Sequence, residues 1–377
     1  MIPCSKLLRL TYNGGNMSLD WASLDKDLVD LIGWRVLAGD LQDYVNFRAV
    51  CHHWNASTVG PRGRGILDPR FHPRHWMMLP EGHGLYPGHP DLCGSLRFFN
   101  LSTGAFVRVH LPLLDDHAIL DSIDGLLVLH RDHDTAVRLL HPFTGDVAEL
   151  PPLASLLSWV EIPHYYNEES KRSGLMSVRA SVTVGSTGRI TAMLAFDLLH
   201  RVAYATAGDQ RWTFFTWKIQ PLIKPVAFQG KLYAMEFLGK AIQKVCIYQI
   251  DPPHLDAAGE LSHLPFPVKI AECPMDKLLY ILNFVECCSE LLLVAYNGYS
   301  CSKLLVYRLA DLVSGTIEPV RSIGTMPCLW MNAVFVSHSR LTRGVRTFHH
   351  CHLTLSFAYI VFQSVLLMNQ LVLSSMT

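Results

Sequence analysis

The chain has 377 residues, 32 basic against 32 acidic side chains, 50% apolar residues and only 17% charged ones. With net charge zero, no global field draws it to nucleic acid or to an anionic membrane, so neither is expected as a partner. The composition is globular rather than disordered, and the length fits one large domain or a large one plus a small one.

The first elements are helical. In "SLDKDLVDLIGWRVLAGD", Ser23 to Asp40, the residues Leu28, Leu31, Ile32 and Val36 recur at i, i+3, i+4 and i+8, one stripe of a helix. Asp25 is suited to cap its start, Gly39 to the C′ position, and Asp40 to cap a second helical segment. In that segment Phe47, Val50, Cys51 and Trp54 again share one stripe. His52 and His53 then point about 100° and 200° away from Cys51. Three adjacent helical residues cannot converge on one ion, because useful ligand pairs lie i, i+3 or i, i+4 apart, so no metal is expected. Cys51 reads as a small core hydrophobe. A unit below about 40 residues rarely buries two such stripes alone, so the leftover apolar surface must dock on something.

The stretch "DWASLDKDLVDLIGWRVLAGDLQDYVNFRAVCHHWNAST" resembles an F-box, the helical module that docks on a Skp-type adaptor of cullin-RING ubiquitin ligases. The resemblance is carried by Trp21 and Leu24, by Leu28 and Ile32, and by Val50-Cys51 with Trp54. It implies an F-box over 18–58, with Leu24, Leu28, Leu31, Ile32, Val50, Cys51 and Trp54 facing the adaptor. Members of the family usually have Leu-Pro where this chain has Leu24-Asp25, so altered rather than abolished docking is expected. The competing reading is an unrelated helical hairpin packed on its own C-terminal domain.

Next comes "GPRGRGILDPRFHPRHW", basic but broken by Gly and Pro, which reads as a solvated linker within 59–90. From 91 to 340 the pattern is all-β. "RFFNLSTGAFVRVHLP" and "VRLLHPFTGDVAELPP" each read as a strand, a Thr-Gly turn (Thr103-Gly104, Thr144-Gly145), a second strand and a Leu-Pro. Their offset of about 40 residues is that of four-stranded propeller blades. "SVTVGSTGRITAMLAFD" and "PVAFQGKLYAMEF" read as hairpins, and "LLYILNFVECCSELLLVAYNG" and "KLLVYRLAD" as further strands. A β-sandwich is the plainer alternative. The region resembles the β-propeller-like domain of unknown function attached to F-boxes in a large plant family. "DGLLVL", "HPFTGDVAELPPL", "FQGKLYA", "VECCSELLLV", "VYRLAD" and "VRSIG" carry that resemblance. The fold expected is therefore multidomain: a small all-α F-box followed by an all-β propeller-like domain.

The tail, 341–377, lacks such motifs. Its run "LTLSFAYIVFQSVLLMNQLV", Leu353 to Val372, reads best as a divergent segment, with a buried element or a tail anchor as alternatives.

No catalytic constellation is found, and neither enzyme activity nor a cofactor is expected. "HRDHD" (His130–Asp134) has no accompanying kinase motifs and reads as a polar turn. "GPRGRG" is neither a Walker loop nor a dinucleotide fingerprint. His349-His350-Cys351-His352 has no second ligand group at zinc spacing. The ten cysteines contain no C-x-x-C pair, and the N-terminus lacks a signal-peptide core, so free thiols and a cytoplasmic and/or nuclear location are expected. The resemblance implies a substrate-recognition adaptor, bound through a Skp-type subunit to cullin and holding an unknown protein target. The alternative is an F-box-containing binding protein acting outside a ligase.

Overall fold

The computed structural model describes residues 21–78, 95–159, 178–219, 222–238, 244–256, 261–274, 279–297, 303–320 and 328–329, apart from positions 101, 132, 198 and 288. The His349–His352 cluster and the apolar tail lie outside these residues. Among them, no helix is long and apolar enough to cross a membrane.

Three helices come first: α1 (Lys26–Gly39), α2 (Leu41–Arg48) and α3 (His52–Ser57). Asp25 caps α1, its side chain accepting the Asp27 N–H at 2.8 Å. Gly39 is the last helical residue rather than C′, and Asp40 follows in an extended conformation that starts α2. The second segment is not one continuous helix as the stripe predicts. α2 stops at Arg48, and Cys51 is extended (φ −156°, ψ 166°) before α3. Phe47 and Trp54 still meet, their rings stacked with centroids 4.4 Å apart across the break. Cys51 is therefore a half-buried N-cap, not a core residue.

The described strands form a five-bladed β-propeller. The first sheet is β1 (Trp76–Met78), β2 (Ser95–Asn100) and β3 (Phe106–His110). The second is β4 (His117–Ile123), β5 (Leu126–Arg131), β6 (Val137–Leu140) and β7 (Val147–Leu150), and the third is β8 (Val178–Val184), β9 (Ile190–Phe196), β10 (Arg201–Thr206) and β11 (Thr213–Phe214). The fourth pairs β12 (Ile223–Phe228), β13 (Lys231–Leu238), β14 (Lys244–Ile250) and β17 (Val268–Pro274), with a small hairpin of β15 (His254–Leu255) and β16 (Leu261–His263) before its last strand. The fifth contains β18 (Leu279–Cys287), β19 (Glu290–Asn297), β20 (Lys303–Arg308) and β21 (Cys328–Leu329). Every pairing is antiparallel.

Strand alternation explains the stacking. In β5, Leu126 and Val128 pack toward the third sheet while Leu127 and Leu129 pack toward the first. In β9, Ala192 and Leu194 face the second sheet, and Met193 and Ala195 face the fourth. Successive side chains point to opposite faces, and both faces of an inner blade are covered, so these strands read as unbroken apolar runs. A bulge beside Asp121 turns its carboxyl into the seam between sheets two and three, where it accepts the Ala180 N–H (2.7 Å) and an Arg179 N–H (3.2 Å). Burial there pushes the Asp121 carboxyl up from its ordinary value, against the pull of Arg179.

Three expectations need correction. The stretch read as a solvated linker is packed: Ile66 and Phe71 are buried, and β1 begins inside it at Trp76. The strand "KLLVYRLAD" ends at Arg308 and gives way to a short helix, α4 (Leu309–Val313), whose Leu309 and Leu312 enter the core between sheets four and five. Not all cysteines are free thiols. Cys287 is disulfide-bonded, and the residue opposite it in the β18–β21 register is Cys328.

Candidate protein-docking surface

Two faces of α1 part company. Val29, Gly33 and Leu37 are buried at i, i+4 and i+8, against α2, α3 and the residues behind them. Gly33 has no room for a side chain: a Cβ there would stand 2.9 Å from the Thr58 methyl and 3.4 Å from the Phe47 and Tyr44 rings. On the other face Leu28 and Leu31 are 50% and 55% exposed, and Trp21 and Val50 are 50% and 42% exposed. Leu24, Ile32, Cys51 and Trp54 are partly buried. Val36, from the same sequence stripe as Leu28, turns inward beside Leu37 and Tyr44. The predicted stripe is thus split between inside and outside, which a 3.6-residue period alone cannot resolve.

Polar contacts hold the pieces of this face together. The Trp54 indole N–H donates to the Trp21 carbonyl (3.0 Å), and the His53 ring nitrogen Nε2 pairs with the Leu24 carbonyl (2.7 Å). The segment before α1 is thereby brought against α3, so Trp21 and Leu24 sit beside Trp54. The Arg48 guanidinium reaches the Thr58 hydroxyl at 3.0 Å and the Asn55 carbonyl at 3.1 Å, closing the α2–α3 corner. His52 is exposed, and His53 is committed to Leu24, so the adjacent histidines serve separate roles. Asp25 has φ −56°. A proline ring imposes nearly that value. Asp25 therefore enters α1 with a backbone that a proline would also adopt, and adds a cap.

The module rests on the propeller through a seat that sequence reasoning did not find. Asp40 is 8% exposed. One carboxylate oxygen accepts the Gln42 and Asp43 N–H groups at 2.7 and 3.3 Å, capping α2. The other accepts the Trp76 indole N–H and the Asn100 side-chain N–H, both at 2.8 Å. Asn100 also accepts the Ser102 and Thr103 N–H groups at the Thr-Gly turn between β2 and β3. His141 occupies the matching position in the β6–β7 turn. Its Nδ1 accepts the Phe143 and Thr144 N–H groups, leaving Nε2 to donate to the Phe71 carbonyl at 3.0 Å. Asp146 at the same turn accepts the Gly63 and Gly65 N–H groups at 2.8 and 2.7 Å. "GPRGRG" thus cradles a carboxylate of its own chain. Phe143 bridges the helical core to the first two blades, and Arg70 lies 3.9 Å over the Trp34 ring.

Residues 98–346, about two thirds of the chain, match the family described as KIB1-4 beta-propeller. The chain belongs to the KIB1-4 beta-propeller family. The match begins at Phe98 in β2, so the helical module and β1 lie before it. No curated protein matches the chain. Among solved structures it is similar to virginiamycin B lyase from Staphylococcus aureus, at 14% identity over 56% of this chain and 59% of that one, TM-score 0.27. It is similar to exo-beta-1,3-galactanase from Phanerochaete chrysosporium, at 12% identity over 56% and 49%, TM-score 0.26. The Cps50 (Swd1) beta-propeller domain of Myceliophteria thermophila is similar at 11% identity over 60% and 66%, TM-score 0.28. The chain spans less than two thirds of the length of each. The KIB1-4 propeller supplies blade edges and loops suited to protein–protein contact.

Proposed function

We propose that this chain is the substrate-recognition adaptor of a Skp–cullin–F-box type ubiquitin ligase, acting in cytoplasm and/or nucleus. The helical module docks on the Skp-type subunit, and through it on cullin, while the propeller holds a protein target. The observation that carries this reading is the apolar surface left open on the module. Trp21, Leu28, Leu31 and Val50 are all at least 42% exposed, and they fall in the stretch with the F-box hallmarks. Large side chains of this kind, gathered on a small module with a committed inner face, mark a surface that another protein covers. The entry geometry at Asp25 supports it too, because it keeps the backbone that the family's proline would set. In this reading the chain supplies no reacting group. Its contribution is proximity, raising the effective concentration of a target lysine near a charged conjugating enzyme.

The test is co-purification with a Skp-type adaptor. The wild-type chain should bring it down, and a Leu28→Asp, Leu31→Asp double variant should lose it while remaining folded. Equal recovery with both chains would sink the assignment and leave a propeller-based binding protein that acts outside a ligase.

A further inference from the structure

The docking helices are held to the propeller through buried polar groups, not by a strap of apolar contacts alone. Asp40 offers one carboxylate oxygen to α2 and the other to Trp76 in β1 and Asn100 in β2. The two propeller donors lie 36 and 60 residues further along the chain. Tips at equivalent positions of the first two blades repeat one design. Asn100 and His141 each use one side-chain atom to accept two N–H groups of their own Thr-Gly turn, and the other to grip the N-terminal region. Between the two grips, Phe71 is fully buried against Tyr44 and Trp34.

We propose that Asp40, Asn100 and His141 form a latch that holds the helical module at one fixed orientation on blades one and two, with Asp40 the central positioning residue. A buried carboxylate is tolerated only where N–H donors replace its water, and those donors fix direction as well as distance. Apolar packing between Phe143, Phe71 and the helices would by itself permit sliding. The Asp40 contacts do not, because any rotation of α2 that keeps its cap pulls the second oxygen off Trp76 and Asn100. The mechanical claim stands without the adaptor. Its consequence, that a target on the propeller keeps a constant position relative to the adaptor-bound ligase, rests on the function proposed above.

A swap experiment on the full chain tests it. In Asp40→Asn the amide oxygen can still cap α2, but its NH2 group confronts two N–H donors. In Asn100→Asp the turn keeps its acceptor, and a second carboxylate faces Asp40. The double variant restores a donor–acceptor pair. Fluorophores placed through unnatural amino acids at Arg35 on α1 and Thr187 in the β8–β9 turn, both exposed, report the distance between module and propeller. The wild type should give one narrow distribution, each single variant a broader one, and the double variant a return toward the narrow form. Exchange of the Trp76 indole N–H should rise on the order of tenfold in Asp40→Asn, the scale set by losing one buried hydrogen bond. Thermal unfolding of the propeller should hardly move, which separates positioning from general damage. If Asp40→Asn unfolds the module, Trp76→Phe, which keeps a ring and removes only the indole donor, should broaden the distribution with helix content unchanged. Narrow distributions in the single variants, or a double variant no better than either, would overturn the latch. Wild-type chain that fails to bind a Skp-type adaptor would remove the ligase reading and leave the latch standing.

Discussion

The Thr-Gly turns of blades one and two are the same local structure serving two chemistries. Asn100 and His141 stand at the same place in each hairpin and satisfy the same pair of turn N–H groups. Asn100 then donates to the carboxylate of Asp40, whereas His141 donates to the carbonyl of Phe71. The first grip joins an amide to a carboxylate. The second depends on a neutral imidazole, since protonation of Nδ1 would set a donor against the N–H groups of Phe143 and Thr144. A sequence repeat therefore specifies the turn and not what the turn holds.

The comparison is broken most severely by removing what both grips enclose. Phe71→Ala, at a fully buried site between Trp34 and Tyr44, should cost about 3–5 kcal/mol in denaturant unfolding. His141→Ala removes one grip and leaves two turn N–H groups and one carbonyl without their partner. It should cost about 1–3 kcal/mol and expose the Gly63–Phe71 strap to proteolysis, with α1 intact.

The pH dependence sharpens the contrast further. Burial, the largest influence on His141, holds its pKa below the ordinary value of about 6.5, helped by nearby His72 and opposed by the Phe71 carbonyl and Asp146. The folded chain then binds fewer protons than the unfolded one just below that value. The stability from neutral His141 is fully present above pH ~6.5 and is lost as pH falls from there toward the lower folded pKa. His72, lowered chiefly by burial, acts in the same sense. Replacing His141 with Asn copies the blade-one turn and should flatten the part of the slope that His141 contributes, measured as unfolding midpoints between pH 7.5 and 5.5 (roughly the window of histidine titration). An unchanged slope would show that His141 is not the titrating grip.

The smallest effect on stability belongs to the open face. Leu28→Asp with Leu31→Asp should leave unfolding within about 0.5 kcal/mol of wild type, because both side chains already meet water. The same variant is the one expected to abolish docking, so a large loss of stability would mean that the face is covered by the chain itself.

Much of this molecule is local and was legible. The caps at Asp25 and Asp40, the Thr-Gly hairpins and the roughly 40-residue blade rhythm arise from contacts a few residues apart, or from alternation along a strand. The apolar row of Leu28 and Leu31 was legible as a row, but whether it faced in or out was not, since the helical period fixes only which residues share a face. The break at Cys51 was hidden because Phe47 and Trp54 meet across it much as they would along a helix. Residues 60–76 looked like a linker because Gly and Pro describe flexibility in isolation. Packing is set by what lies opposite, and here Asp146, His141 and Gly125 lie opposite: a Cβ at Gly125 would collide with the Pro73 carbonyl oxygen. Asp40 marks the boundary between the two kinds of knowledge. Its first oxygen caps the Gln42 and Asp43 N–H groups, and sequence alone foretold it. Its second oxygen needs Trp76 and Asn100, and a folded propeller had to bring them there.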